Sequence, residues 1–236
     1  MKAKLSMAFL DLRGKDGPVV IRKGRNGLML TPHVTPKNPR TSAQREVRNN
    51  LTKSAKTFES LTTAQADAWR DYASSLTVKD PITGMSYEPT AISVFVGLSS
   101  KFLQLNPTGT IPVTPPTSDF LGDTIKLEAQ SETPGIIQFQ ATGANAAGVT
   151  TEVLLQRLPS RNRTPNDKAY EHAGFKAFTS GSLTLDVDVT AGYYAAAYRF
   201  VKTSTGQMTE FVPLPVFPVS FSIESGNAKP AKKKAA

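Results

Sequence analysis

Cysteine is absent from the sequence, which excludes disulfide frameworks, thiolate nucleophiles and Cys-based zinc or iron–sulfur sites. Histidine occurs only twice, as His33 and His172. No His pair is therefore available for a metal cage or a Ser/His relay, and each histidine reads as a surface residue. No apolar run approaches the roughly 18 residues that a membrane-spanning helix needs, so no membrane partner is expected. The short apolar stretch after Lys2 and Lys4 is ended by Asp11, Arg13 and Lys15 before a secretory signal core could form, so secretion is not expected. Phosphate-cradling patterns such as GxxxxGKS/T and GxGxxG are missing too, and the glycines of GKDG and GRNG are explained by turn geometry. Asp186 and Asp188 share one face of an expected strand. They alternate with inward Leu185 and Val187, and no Asp/Asn-Gly calcium loop surrounds them. No catalytic residue, cofactor or small-molecule substrate is expected.

What is present is ordinary for a globular chain: 39% hydrophobic and 20% charged residues over 236 positions, a length that suggests two units of roughly 100 residues each. The charge is unevenly placed. Residues 1–60 hold 13 Lys and Arg against the four acids Asp11, Asp16, Glu46 and Glu59, which is the whole net charge of +9. A segregated positive field attracts polyanions or an acidic protein surface and is screened by salt; it does not select between them. The candidate partner-binding residues are Arg13, Lys15, Arg22, Lys23, Arg25, Lys37, Arg40, Arg45 and Arg48. The tail AKPAKKKAA reads as disordered by composition.

From Pro18 the sequence places two short β-prone runs, Val19–Arg22 and Leu28–Leu30, either side of Gly24, Asn26 and Gly27, which predicts a β-hairpin with a basic tip. Thr41 followed by Gln44, and Thr62 followed by Gln65, are capping-box patterns ahead of helical runs. Val47, Leu51, Ala55 and Phe58 form an apolar stripe on the first helix; Ala66, Trp69, Ala73 and Leu76 form one on the second. Trp69, the only tryptophan, is expected in the core. A third helical face comprises Ile92, Phe95, Leu98, Phe102 and Leu105. Pro107, Pro112, Pro115 and Pro116 then predict a stiff extended linker, 106–123.

From Thr124 the texture changes to short β-rich runs: TIKLEAQ, GIIQFQA, TEVLLQR, FKAF, SLTLDVDV, GYYAAAYRFV and MTEFVPL. Seven such runs separated by Gly, Pro, Asn and Ser predict a β-sandwich over 124–223, followed by a basic tail, 224–236. Arg157, Arg161 and Arg163 fall in or beside a polar, proline-broken loop. The fold class is α+β: a β-hairpin plus three-helix domain over 1–105, then the linker and an all-β domain.

The segments GKDGPVVIRKGRNG, TPKNPRTSAQREVR and FESLTTAQADAWRDYA resemble a group of small proteins of tailed bacteriophages and prophages. Asn38-Pro39-Arg40-Thr41 with Ala43-Gln44, and Leu61-Thr62 with Ala64-Gln65 and Ala68-Trp69, carry the resemblance, which covers residues 10–105. The C-terminal half is similar to fibronectin type III or immunoglobulin-like modules through GYYAAAYRFVKTSTGQMTEF. These resemblances imply a virion component, of head, tail or baseplate, that contacts other virion proteins in a multi-copy assembly. A nucleic-acid-binding protein whose basic quarter tracks phosphates is the alternative. A glycan or cell-surface adhesin with Tyr193, Tyr194 and Tyr198 as stacking residues is another.

Overall fold

In the computed structural model, which describes residues 2–3, 14–24, 27–35, 38–79 and 84–220, three helices begin where the capping residues stand. Helix α1 spans Ser42–Glu59, α2 Thr63–Ser74 and α3 Ala91–Leu105. At α2 the capping box is complete: the Thr62 hydroxyl accepts from the Gln65 amide, and the Gln65 side chain accepts from the Thr62 amide at 3.0 Å, so two orphan donors of the first turn are satisfied reciprocally. Thr41 accepts from the Gln44 amide and Thr90 from the Ser93 amide in the same manner.

The chain divides into two compact units, Met1–Arg45 and Glu46–Ala236, the division falling inside α1. The expected linker 106–123 therefore lies within the second unit rather than between two. The first unit holds an antiparallel sheet of β1 (Lys2–Ala3), β2 (Gly14–Asp16), β3 (Val19–Gly24) and β4 (Gly27–Pro32), ordered β1-β4-β3-β2. The register pairs Ile21 with Leu30 and Arg22 with Met29. Strand alternation therefore puts Val19, Ile21, Leu28 and Leu30 on one face and Val20, Arg22 and Met29 on the other. The expected hairpin is present and is flanked by two further strands; its tip, with Arg25 and Asn26, lies outside the described residues, as does the tail.

In the second unit the helices enclose an apolar cluster of Trp69, Phe95, Phe102, Leu103 and Ile111. Phe58 and Trp69 contact the Phe95 ring at centroid distances of 5.3 and 5.0 Å, tilted and edge-on as aromatic quadrupoles prefer. The α1 stripe is only half correct. Ala55 and Phe58 are partly buried, but Val47 and Leu51 are more than half exposed, and Ser54 takes the buried position. Among the described residues the Ser54 hydroxyl has no hydrogen-bond partner. An unsatisfied buried hydroxyl costs about 1–3 kcal/mol, so Ser54→Ala is expected to stabilise the chain by about 1 kcal/mol in urea unfolding; a loss would mean that the hydroxyl has a partner in solution.

The proline-rich stretch is packed, not spacing. Ile111 is buried among the helices and the Val113 carbonyl accepts from the Trp69 indole at 2.8 Å. An extended chain leaves its carbonyls free for such use. After the two-stranded β5 (Val78–Lys79) and β6 (Ser86–Tyr87), all remaining strands are antiparallel: β7 (Leu127–Gln130), β8 (Ile136–Ala141), β9 (Val149–Leu158), β10 (Glu171–Lys176), β11 (Thr184–Asp188), β12 (Gly192–Lys202), β13 (Val212–Pro213) and β14 (Phe217–Val219). One sheet runs β10-β9-β12-β13 with β14 also on β12, the other β11-β8-β7. Their facing side chains form one core around Ile137, Phe139, Val153, Leu155, Tyr194, Tyr198 and Phe200. Five of the seven expected runs coincide with strands, whereas FKAF reaches only the end of β10 and MTEFVPL overlaps β13 only at Val212–Pro213.

The five-stranded sheet is covered on its outer face as well. Leu154, Ala195, Ala197 and Val201 point away from the shared core, yet each is buried, which explains why β9 and β12 read as continuous apolar runs rather than alternating ones. The C-terminal part of α3 supplies part of that cover: the Gly206 backbone abuts the Leu98 carbonyl and the Phe102 amide. No described helix is long and apolar enough to cross a membrane.

Candidate functional site

Strand β9 carries a single acid, Glu152, next to the apolar run Val153–Leu155, and the register sets it opposite Arg199 of β12 and Phe175 of β10. Glu152 is 1% exposed. Arg199 donates through Nε to Glu152 Oε2 at 2.6 Å. Lys101 of α3 donates through Nζ to both carboxylate oxygens at 3.0 and 3.1 Å, and to Gln104 Oε1 at 2.6 Å. His172 Nδ1 lies 2.9 Å from Glu152 Oε1; an ionised carboxylate only accepts, so Nδ1 carries the hydrogen. His172 is therefore not the ordinary surface residue that its sequence context suggests.

Burial by itself would raise the Glu152 pKa. The hydrogen bonds from His172 and Arg199 and the charges of Lys101 and Arg199 outweigh it and hold the carboxyl at about 2. Burial pulls the Lys101 ammonium below its ordinary range, an effect the neighbouring Glu152 opposes. This cluster ties α3 to the outer face of the sheet.

A second polar bracket joins the end of the proline-rich stretch to the sandwich. Asp123 accepts from the Thr124 and Ala146 amides, both at 2.7 Å, and from the Asn145 side chain at 3.2 Å. Burial pushes its pKa up, but these bonds to the charged form prevail and lower it. Asn145 in turn accepts from the Phe178 amide at 2.8 Å. Among the described residues no group of three or more His, Asp or Glu is placed to hold a metal ion.

The expected basic residues are distributed as follows. Lys15 in β2, Arg22 in β3, Arg40 and Arg45 are exposed, and among the described residues no carboxylate pairs with any of them. Lys23 lies in β3. Arg48 is exposed on α1, whereas Arg13, Arg25 and Lys37 lie outside the described residues. Arg40 adopts φ 50° and its amide donates to the Asn38 side chain at 3.3 Å, an Asx-type turn that places it just before α1.

The tyrosine trio does not form a surface platform, because Tyr194 and Tyr198 are buried in the sandwich core and only Tyr193 is exposed. Asp186 and Asp188 are exposed, in alternation with partly buried Leu185 and Val187. Arg161 and Arg163 are exposed, and Arg157 reaches back to the Ala191 carbonyl at 3.3 Å.

A cleft of about 580 Å³ opens beside the buried cluster, lined by Asp167, Tyr170, Ala197, Arg199, Glu210 and Phe211 among others. No sequence signal marked it, since its residues come from β12, from the chain after Gly206 and from a one-turn helix, Asp167–Ala169. That helix is held by Asn166, whose amide donates to the Gln156 side chain of β9 at 2.9 Å and whose side chain accepts from the Lys168 amide.

No protein-family model matches the sequence, and no curated protein matches it. Among solved structures the chain is similar to the fibronectin type III domain of human contactin 1, at 8% identity over 51% of this chain and 97% of that one with a TM-score of 0.33. It is likewise similar to such a domain of human collagen alpha-1(XX), at 15% identity over 49% of this chain and 100% of that one with a TM-score of 0.30.

Proposed function

We propose that the chain is a non-catalytic structural component of a bacteriophage virion. In this reading it docks through its basic N-terminal quarter, and its all-β part is a module of the fibronectin type III or immunoglobulin-like kind. The observation that carries the reading is the set Lys15, Arg22, Arg40 and Arg45, four exposed cations that no carboxylate among the described residues neutralises. Exposed charges of one sign, concentrated in one quarter of the chain, accelerate encounter with an acidic surface and fix its register more than they raise affinity. Repetition over many copies makes such individually weak contacts effective. The NPRT-x-AQ and LT-x-AQ-x-x-AW resemblance supplies the phage context.

Mass spectrometry of purified particles, with peptide abundance scaled to the major capsid protein, tests the reading. Many copies per particle are expected, and incorporation is expected to fall sharply in an Arg22→Glu/Arg40→Glu/Arg45→Glu variant whose folding is unchanged. Absence from particles despite abundance in infected cells would overturn the structural role and leave salt-dependent nucleic-acid binding to be measured instead.

A further inference from the structure

We propose that the cleft beside the buried charge cluster binds a pyranose bearing a carboxylate, an acidic sugar residue of a surface glycan. The argument begins with Arg199. Its Nε is committed to Glu152 at 2.6 Å, and its guanidinium carbon sits 5.1 Å from the centre of the Phe211 ring. The side chain is 17% exposed, and no other group among the described residues bonds to its Nη nitrogens. An arginine held by one edge and stacked on a ring presents its remaining fork at little conformational cost, which is the arrangement that recognises a carboxylate in bidentate fashion.

The rest of the wall selects what the carboxylate is attached to. Tyr170 and Phe211 stand with ring centroids 6.0 Å apart, tilted by 41°. Such rings offer apolar faces to the C–H face of a sugar while the Tyr170 hydroxyl stays available for a hydrogen bond. Asp167 and Glu210 are exposed at the rim and have no hydrogen-bond or ion-pair partner among the described residues. They repel a bare inorganic anion but accept hydrogen bonds from hydroxyl groups, so a ligand that satisfies the whole cleft is both acidic and rich in hydroxyls. The volume, about 580 Å³, lies within the range of small-ligand sites. A bound peptide strand would need a free sheet edge with donors. The edge here is β13, two residues long, and its Pro213 has no N–H to give.

The site uses neither the basic quarter nor any virion partner, so it is tested on the purified full chain. Saturation-transfer NMR and titration with methyl glucuronide and N-acetylneuraminic acid are expected to show binding. Methyl glucoside, which lacks the carboxylate, is expected to bind about tenfold more weakly or worse, as for loss of one charge-assisted hydrogen-bonded pair. Tyr170→Ala and Glu210→Gln, neither of which removes a partner of the Glu152 carboxylate, should each weaken binding severalfold with unfolding behaviour unchanged. Three results would each overturn the proposal: no transfer to either acidic sugar, equal binding of the neutral glucoside, or competition by millimolar inorganic phosphate that the Tyr170 and Glu210 variants do not alter.

Discussion

Glu152→Gln is expected to lower the unfolding free energy by about 3–5 kcal/mol, the range found when one partner of a buried ion pair is removed. The reason is what stays behind. Lys101 and Arg199 are 8% and 17% exposed, and without the carboxylate each is a cation in a poorly hydrated place. Glutamine keeps the shape and offers one acceptor to groups that need a charge. A second substitution tells a missing charge from a distorted core: adding Lys101→Met to Glu152→Gln should restore part of the loss, because it removes one stranded cation. A cost below about 1 kcal/mol for Glu152→Gln would mean that the cluster does not hold α3 to the sheet.

The same residue sets an acid signature. Its folded pKa of about 2 lies below the ordinary 4.5, so the folded state binds the proton less readily than the unfolded chain. The stabilisation is complete above pH 4.5 and is lost as pH falls from there towards 2. At about 1.4 kcal/mol per pKa unit the gap amounts to about 3 kcal/mol, of the same order as the mutational cost. Urea midpoints measured between pH 6 and 2 should fall more steeply in the wild type than in Glu152→Gln. Parallel slopes would remove Glu152 as the cause.

Most of the element order was legible because it is written in local chemistry. The Thr62 and Gln65 capping pair marks the start of α2 by two hydrogen bonds that reach no further than three residues, and period-two runs such as SLTLDVDV mark a half-buried strand without reference to any neighbour. The covered outer face was not legible in that way. Val47 and Leu51 have the spacing of a buried stripe, yet only the last turns of α1 pack, since periodicity reports which side of a helix is apolar and not how far along it the partner extends. Glu152 and Lys101 did leave a trace: each is a lone charge next to an apolar run, one in TEVLL and one in SSKFLQL, and their signs are opposite. Nothing in the sequence says that the two meet. The cleft is a juxtaposition of β12, the Glu210–Phe211 segment and a one-turn helix, and the basic residues expected to mark the functional surface are not the ones that line it.

Among the described glycines, Gly206→Ala should be the most damaging single methyl group, with a loss of about 3–4 kcal/mol. Two effects add. The residue has φ +74°, a left-handed conformation that costs a residue with a Cβ about 1–2 kcal/mol. The added carbon would also lie 2.2 Å from the Leu98 carbonyl oxygen and 3.0 Å from the Phe102 amide nitrogen. Both atoms belong to the backbone of α3, so no rotamer change relieves the overlap and the helix must lift from the sheet. Overpacking of this kind typically costs a further 1–3 kcal/mol. Gly148 isolates the first effect, having φ +76° but only the Thr203 hydroxyl near its missing Cβ, at 3.9 Å. Gly148→Ala is accordingly expected to lose only about 1–2 kcal/mol. If the two substitutions prove equal in urea unfolding, the close approach of Gly206 to α3 does not persist in solution. A large gap, together with new hydrogen exchange in α3 of Gly206→Ala alone, would locate the added cost at the contact between helix and sheet.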